Sequence, residues 1–296
     1  MIIRYIYSVS VLIAISVQTL AAQQQQQQQQ EFTDSIAGSS LYQTQLYPSE
    51  PDPPPVFEFS VKRDLSLLVG GAGLAVVGQL IKSNIAPLTE AQILALDPRD
   101  INSFDRAATR QYRTSDANLS NYLLAASVVS PLSVLASRSV RREVMPILVM
   151  YLETGALAGG ITNLSKGIFK RKRPYVYNPN VPMEEKMDIN ARQSFFSGHV
   201  ANSAAFLFLT AFMVNRYADR PAWKWVAWSS AVVVPGTIAY WRYSSGKHFP
   251  TDVLVGYLIG AGSGLLIPAL HNGELPKDIS YNLQPLSNGV MLTITF

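Results

Sequence analysis

The stretch VMPILVMYLETGALAGGITNLSKGIFKRKRP, residues 144–174, decides the fold. From Val144 to Leu164 it holds one charged side chain, Glu153, in an otherwise apolar run. At 1.5 Å per residue this run reaches about 30 Å as a helix, the thickness of a bilayer's hydrocarbon core. Gly155, Gly159 and Gly160 let a neighbouring backbone come close, as packed helices in lipid require. The run then turns basic, through Lys166, Lys170, Arg171, Lys172 and Arg173 to Pro174.

Five further runs have the same character: Leu65 to Ile81, Leu119 to Ala136, Val200 to Val214, Trp225 to Tyr240 and Val253 to Leu270. Six apolar helices joined by polar loops predict an all-α six-helix bundle embedded in a membrane. An all-helical soluble core is the alternative, because some runs fall short of about 20 residues. Trp223, Trp225 and Trp228 at one end of the fifth run, and Tyr240, Trp241 and Tyr243 at the other, fit aromatic belts at two membrane interfaces. The long polar loop after the first run predicts short helices over Leu88 to Ala95 and Phe104 to Gln111. Val56 to Val61 and Val290 to Phe296 alternate with period two, which predicts two strands pairing into a small terminal β-ribbon.

The ends differ from the middle. Residues 1–22 read as a signal peptide, with Arg4, an apolar stretch from Val9 to Val17, and Ala21–Ala22. Leu20 suits cleavage poorly, so an uncleaved anchor is the alternative. Residues 23–55, with Gln23 to Gln30 and then Pro51, Pro53, Pro54 and Pro55, read as a disordered, semi-extended tether. The helical catalytic domain is placed at 56–270, and 271–296 form a tail with the terminal strand.

Composition narrows the classes. The 296 residues are 48% hydrophobic and 15% charged, against about 25% charged in soluble domains. The net charge of +4, gathered in short runs, fits membrane flanks or an anion site and speaks against a nucleic-acid partner. The absence of cysteine removes thiolate metal sites and Cys nucleophiles.

Three clusters carry chemistry. Lys166 and Arg173 would share one helix face if the third helix continued through them, and two such cations can clamp phosphate. Alone, the run reads as a positively charged membrane flank. Ser197 and Gly198 fall at the N-terminal cap of the fourth helix, where free N–H groups favour an anion, and His199 follows them. Arg242, His248 and Asp252 lie around the junction of the fifth and sixth helices, where Asp252 is expected to fix the imidazole's tautomer and free its other nitrogen as a nucleophile. An alternating bundle brings all three clusters to the same end, so one composite site is expected.

These residues resemble the type 2 phosphatidic acid phosphatases, which share their site with bacterial acid phosphatases and vanadium haloperoxidases. Lys166 with Arg173-Pro174, then Ser197-Gly198-His199, then Arg242, His248 and Asp252 match the family's three motifs with the right spacing. Phe196 stands where the family has Pro before the Ser, and Trp241 where it has Ser before the Arg. The second change removes a hydroxyl contact. The resemblance implies that His248 attacks phosphorus with Asp252 orienting it. It implies that His199 protonates the leaving oxygen and then activates water. Lys166, Arg173, Ser197, Gly198 and Arg242 would hold the phosphoryl oxygens, with no metal and no cofactor.

The expected function is a metal-independent phosphatase of the bacterial cell envelope acting on a phospholipid or polyprenyl phosphate. A soluble exported acid phosphatase and, further off, a vanadate-dependent haloperoxidase are the alternatives. The basic loops Ser137 to Arg142 and Asn215 to Lys224 suit the cytoplasmic side, which puts the site in the periplasm. Counting crossings from a cleaved signal gives the reverse, and the outward-facing site that the resemblance implies is preferred. His271 is expected at the surface, and Glu153 in a buried polar contact.

Overall fold

A computed structural model describes residues 23–38, 55–137, 140–272, 280–286 and 289–295. The expected signal peptide and residues 39–54 of the tether lie outside them. The chain divides into two units, residues 1–54 and 55–296. In the first, residues 23–38 form an exposed helix, which corrects the extended conformation expected there. Glutamine is a good helix former, so the repeat can take up helix without a packing partner.

The second unit is built on six long helices, labelled α1 (Val61–Ser83), α2 (Thr114–Val129), α3 (Val144–Phe169), α4 (Gly198–Tyr217), α5 (Pro221–Ser244) and α6 (Pro250–Asn272). Helix α4 is central, packed by α2, α3, α5 and α6, while α1 lies along α3. Short helices at Glu90–Leu94 and Ser103–Arg106, with a 3₁₀ turn at Ala107–Arg110, occupy the first long loop as the sequence predicts. Thr89 and Gln92 close a reciprocal capping box at the first of these.

The distribution of side chains is that of a bundle in lipid. On α1, Leu65, Val69, Val76 and Leu80 face outward. The interior carries small and hydroxylated residues that bond between helices: Ser127 with Ser203, and Ser130 with Thr210, each at 2.8 Å. Four segments, Val61–Ser83, Thr114–Ala136, Val140–Tyr177 and Pro250–Asn272, are long and apolar enough to cross a membrane. Helices α4 and α5 are not among them. Helix α4 is buried among its neighbours, with Ala201, Ser203, Ala204, Ala205, Thr210 and Ala211 among its buried residues.

Close backbone contacts set the helix spacing. A Cβ on Gly160 would lie 2.3 Å from the Gly71 carbonyl oxygen, and one on Gly260 would lie 2.1 Å from that of Ala201. Gly260→Val should therefore force α6 off α4 and destabilise the fold by about 1–3 kcal/mol or more, read as a lower melting temperature in detergent.

Two apolar clusters close the ends. Phe57, Val134, Val140, Ile147, Met150, Leu209, Met213 and Ile267 pack at one end. Leu88, Ile93, Tyr175, Val176, Val181 and Ala191 pack beneath the loops at the other. The strand expected at Val56 to Val61 does not form. The backbone N–H groups of Val56 and Phe57 donate to the Glu143 carboxylate at 3.1 and 3.0 Å, Phe57 is buried, and Val61 already begins α1. An amide satisfied by a side chain has no need of a partner strand. The strand Gly289–Thr295 pairs instead with Ser280–Leu286, antiparallel, with Leu283 opposite Leu292.

Candidate active site

All three sequence clusters meet at the end of the bundle covered by the 84–113 and 170–197 loops. His248 sits at the mouth of α6, buried, in the short α5–α6 turn. Gly246 takes φ +67 in that turn, and a Cβ there would strike the Gln111 carbonyl. The His248 Nδ1–H donates to the Ser194 carbonyl at 2.7 Å, which leaves Nε2 with its lone pair. Burial, and then the positive charges of Arg173, Arg242 and Lys166, hold this imidazole well below its ordinary pKa. It is therefore neutral, as a nucleophile must be.

The role expected of Asp252 needs correction. Its Oδ2 stands 3.7 Å from His248 Nδ1 and makes no direct hydrogen bond to it. It accepts instead from the Ser194 hydroxyl at 2.5 Å and the Phe249 N–H at 2.9 Å. Asp252 thus fixes the residue whose carbonyl holds the ring and the residue next to the ring. Asp252→Asn should therefore lower kcat by about 10²-fold, the scale of a small misplacement, with KM little changed. A loss near 10⁴-fold, as when a carboxylate alone sets the tautomer, would show that Asp252 bonds the ring directly.

The anion cradle is assembled from four elements. Ser197 caps α4 without spending its side chain: its Oγ is buried and accepts or donates no hydrogen bond. Its N–H is tied to the Asp252 carbonyl at 3.0 Å, which couples the start of α4 to α6. A Cβ on Gly198 would stand 3.6 Å from Lys166 Nζ and 3.0 Å from Thr162, so the glycine leaves room beside the lysine. Arg173 Nε and Arg242 Nε are both buried without a partner. Arg242 makes one long bond, 3.4 Å, to the Ser120 hydroxyl on α2. Unspent donors around one imidazole are what a missing phosphoryl group would satisfy.

Arg173 arrives by a route the sequence did not indicate. Helix α3 ends at Phe169, and Lys170 takes the left-handed conformation, φ 47 and ψ 33. Lys166 and Arg173 therefore do not share a helix face. Arg173 comes in from the following loop, where its N–H donates to the Ala191 carbonyl at 2.8 Å. His199, in the first turn of α4, is half-buried, and its Nε2–H donates to Asn121 Oδ1 on α2 at 2.7 Å. That bond leaves Nδ1 to carry a proton to or from a ligand.

Sequence reasoning missed a second layer centred on Arg171. Its guanidinium bonds Asp252 Oδ1 at 2.5 Å, Asp105 Oδ2 at 2.7 Å and the Thr251 hydroxyl at 2.8 Å, and lies 4.1 Å over the Phe249 ring. Asp105 also accepts from the Thr251 N–H and Asn102. Burial alone would push the Asp105 carboxyl up, but these hydrogen bonds outweigh it and hold it below its ordinary range. Asp105 lies in a polar loop far from any motif, and no spacing marks it.

Two openings adjoin the site. A polar cleft of about 620 Å³ is lined by Arg173, Tyr175, Glu185, Asp188 and Lys247. In it Glu185 accepts from Lys247 and from the Tyr112 hydroxyl, both at 2.6 Å. An apolar groove of about 380 Å³ runs between α5 and α6, lined by Tyr240, Tyr243, Pro250, Val253, Leu254 and Tyr257.

Fold and site define a helical bundle with one cationic, histidine-bearing pocket at its end. Residues 147–275, which hold every residue of the three motifs, match the model of the PAP2 superfamily. That bears out the resemblance read from the sequence and supports a phosphatase. No curated protein matches the chain. Among solved structures, the first transmembrane PAP2-type phosphatidylglycerolphosphate phosphatase from Bacillus subtilis is similar at 20% identity and a TM-score of 0.43, over 73% of this chain and 99% of that one.

Proposed function

We propose that the protein is a membrane phosphatase that hydrolyses a lipid phosphate or diphosphate monoester through a phosphohistidine at His248. The observation that carries this reading is the neutral His248, with Nε2 free, beside the unspent polar atoms of Ser197, Arg173 and Arg242. In the first step Nε2 bonds to phosphorus, the ester P–O bond breaks, and His199 gives the leaving alcohol its proton. In the second, His199 takes a proton from water as the water oxygen bonds to phosphorus. Inorganic phosphate leaves and His248 is restored. Lys166, Arg173 and Arg242, with Ser197 and the Gly198 N–H, stabilise the equatorial oxygens through both steps. The fixed cations supply the charge that a metal would, so the chemistry needs none.

Two features favour a lipid over a water-soluble ester. The outward-facing apolar surface of α1 suits a bilayer, and the groove between α5 and α6 opens beside the residues that flank His248. An acyl or prenyl tail in the groove would place its head group toward the polar cleft. The test is phosphate release by the purified protein from a panel of lipid and water-soluble phosphate esters, with Leu254→Trp beside the wild type. The variant should lose about 10-fold or more in kcat/KM on lipid esters while keeping its rate on a small soluble ester. Equal loss on both would favour the soluble, broad-range reading. We place the site on the periplasmic face of a bacterial envelope, on the strength of the basic loop near Lys224. A reporter fused after Lys224 should then be cytoplasmic, and a periplasmic reporter would reverse the orientation.

A further inference from the structure

At the opposite end of the bundle three helices bring together a second set of ionisable groups. Asp64 is in the first turn of α1, Glu153 in α3, and His271 in the last turn of α6, and all three are buried. Glu153 is about 20 Å along α3 from Lys166, and His271 about 28 Å along α6 from Asp252, at 1.5 Å per residue. The cluster is therefore separate from the phosphate site. His271, expected at the surface, has no exposure at all.

The hydrogen bonding leaves a specific deficit. His271 Nδ1 faces the Ile267 carbonyl at 2.9 Å, and a carbonyl can only accept, so the proton is on Nδ1. Nε2 then presents a lone pair. It points between Asp64 Oδ1 and Glu153 Oε2, each 3.4 Å away, and neither contact is a hydrogen bond. Both Glu153 oxygens and His271 Nε2 are buried without any partner. Asp64 Oδ1 already accepts from Arg63 Nε at 2.6 Å, but Glu153 Oε2 and the His271 Nε2 lone pair face each other with no donor between them, and two such acceptors in a dry interior repel unless positive charge lies among them.

The spacing suits a small divalent cation. Ligand atoms of a tetrahedral site with bonds of about 2.1 Å stand about 3.4 Å apart, which is the His271 separation from both carboxylates. The three donor atoms lie within 4.8 Å of one another. The surroundings are those of a held ligand set: the Ile267 carbonyl orients the imidazole, and Arg63 Nε at 2.6 Å with the Ser60 N–H at 2.9 Å orients Asp64. We propose that Asp64, Glu153 and His271 bind one divalent cation of the zinc class, which ties α1, α3 and α6 together. It is too far from His248 to touch a reacting atom, so its role is structural.

The test uses the full chain, purified in detergent without a histidine tag, stripped with chelator and then dialysed against Zn²⁺ or Co²⁺. About one metal per chain is expected, together with the intense visible bands of tetrahedral Co²⁺. Removal should lower the melting temperature by several degrees while leaving the initial rate of phosphate release, measured well below it, unchanged. Glu153→Gln keeps the side chain's shape and should cut metal content at least tenfold, as should His271→Ala. A folded wild type that takes up no stoichiometric cation overturns the proposal and leaves a shared proton as the neutralising charge. Full metal content in both variants overturns it equally.

Discussion

His248→Ala should abolish phosphate release, with a loss of about 10⁴-fold or more in kcat. Removing a nucleophile takes away the covalent route entirely, and what survives is positioning and electrostatic stabilisation by the remaining cradle. In this site the cradle would remain, because Lys166, Arg173, Arg242 and Ser197 are held by elements that do not depend on the imidazole. The variant should therefore still bind inorganic phosphate with nearly wild-type affinity. Rapid quenching with a radiolabelled ester should trap label on the wild-type protein in an acid-labile, base-stable form and none on the variant. Residual turnover within tenfold of wild type, or label that persists in the variant, would remove His248 from the reaction.

Arg171→Ala should be the most damaging change outside the phosphate-binding set. It strips the partner from two fully buried carboxylates at once, since the Asp105 and Asp252 side chains have no exposure. Breaking a buried ion pair from one side costs about 3–5 kcal/mol, because the remaining charge stays desolvated and unpaired. The loss should also reach catalysis through Asp252, which would no longer hold Ser194 and Phe249 in place. Arg171→Lys should rescue little, since an ammonium cannot bridge two carboxylates and a threonine hydroxyl with one planar fork. Thermal unfolding in detergent and activity on a soluble ester measure the two effects. The sign of the pH dependence follows from Asp105. Its depressed pKa means that its bonds stabilise the fold above the ordinary carboxylate pKa, and that this stability fades as pH falls through the depressed value. The wild type should lose stability on acidification, whereas Arg171→Ala should lose less. An Arg171→Ala variant with unchanged melting and activity would show that the network contributes nothing.

Much of this protein could be read without its structure, because the local signals were strong. Apolar runs long enough to span lipid predict helices through hydropathy alone, whatever packs against them. Gly71, Gly78, Gly160 and Gly260 mark helix contacts because only glycine admits a backbone at such range, whereas Gly159 has nothing within 4 Å and Gly155 meets only the Phe206 ring. Lys166, Ser197, Gly198, His199, Arg242, His248 and Asp252 stood at or beside helix ends, where alternation of the bundle gathers them, while Arg173 reached them from the loop after α3. Other signals were read wrongly because they depend on a distant partner. The alternation of Val56 to Val61 looked like a strand, until Glu143, far along the chain, supplied the acceptors for its amides. The left-handed turn at Lys170 ended a helix that propensity would have continued.

The sequence by itself determined the class of fold and the chemical inventory of the site, since both reside in the order and spacing of side chains along single segments. Only the tertiary structure decided how that inventory is wired. It put Ser194, not Asp252, against the imidazole, recruited Arg171 from a basic run and Asp105 from a plain loop to brace Asp252, and drew His271 inward beside Asp64 and Glu153. These are contacts between residues separated by tens to hundreds of positions. Nothing in the local pattern at either end encodes them, because a hydrogen bond or a buried charge pair is a property of two places brought together by packing.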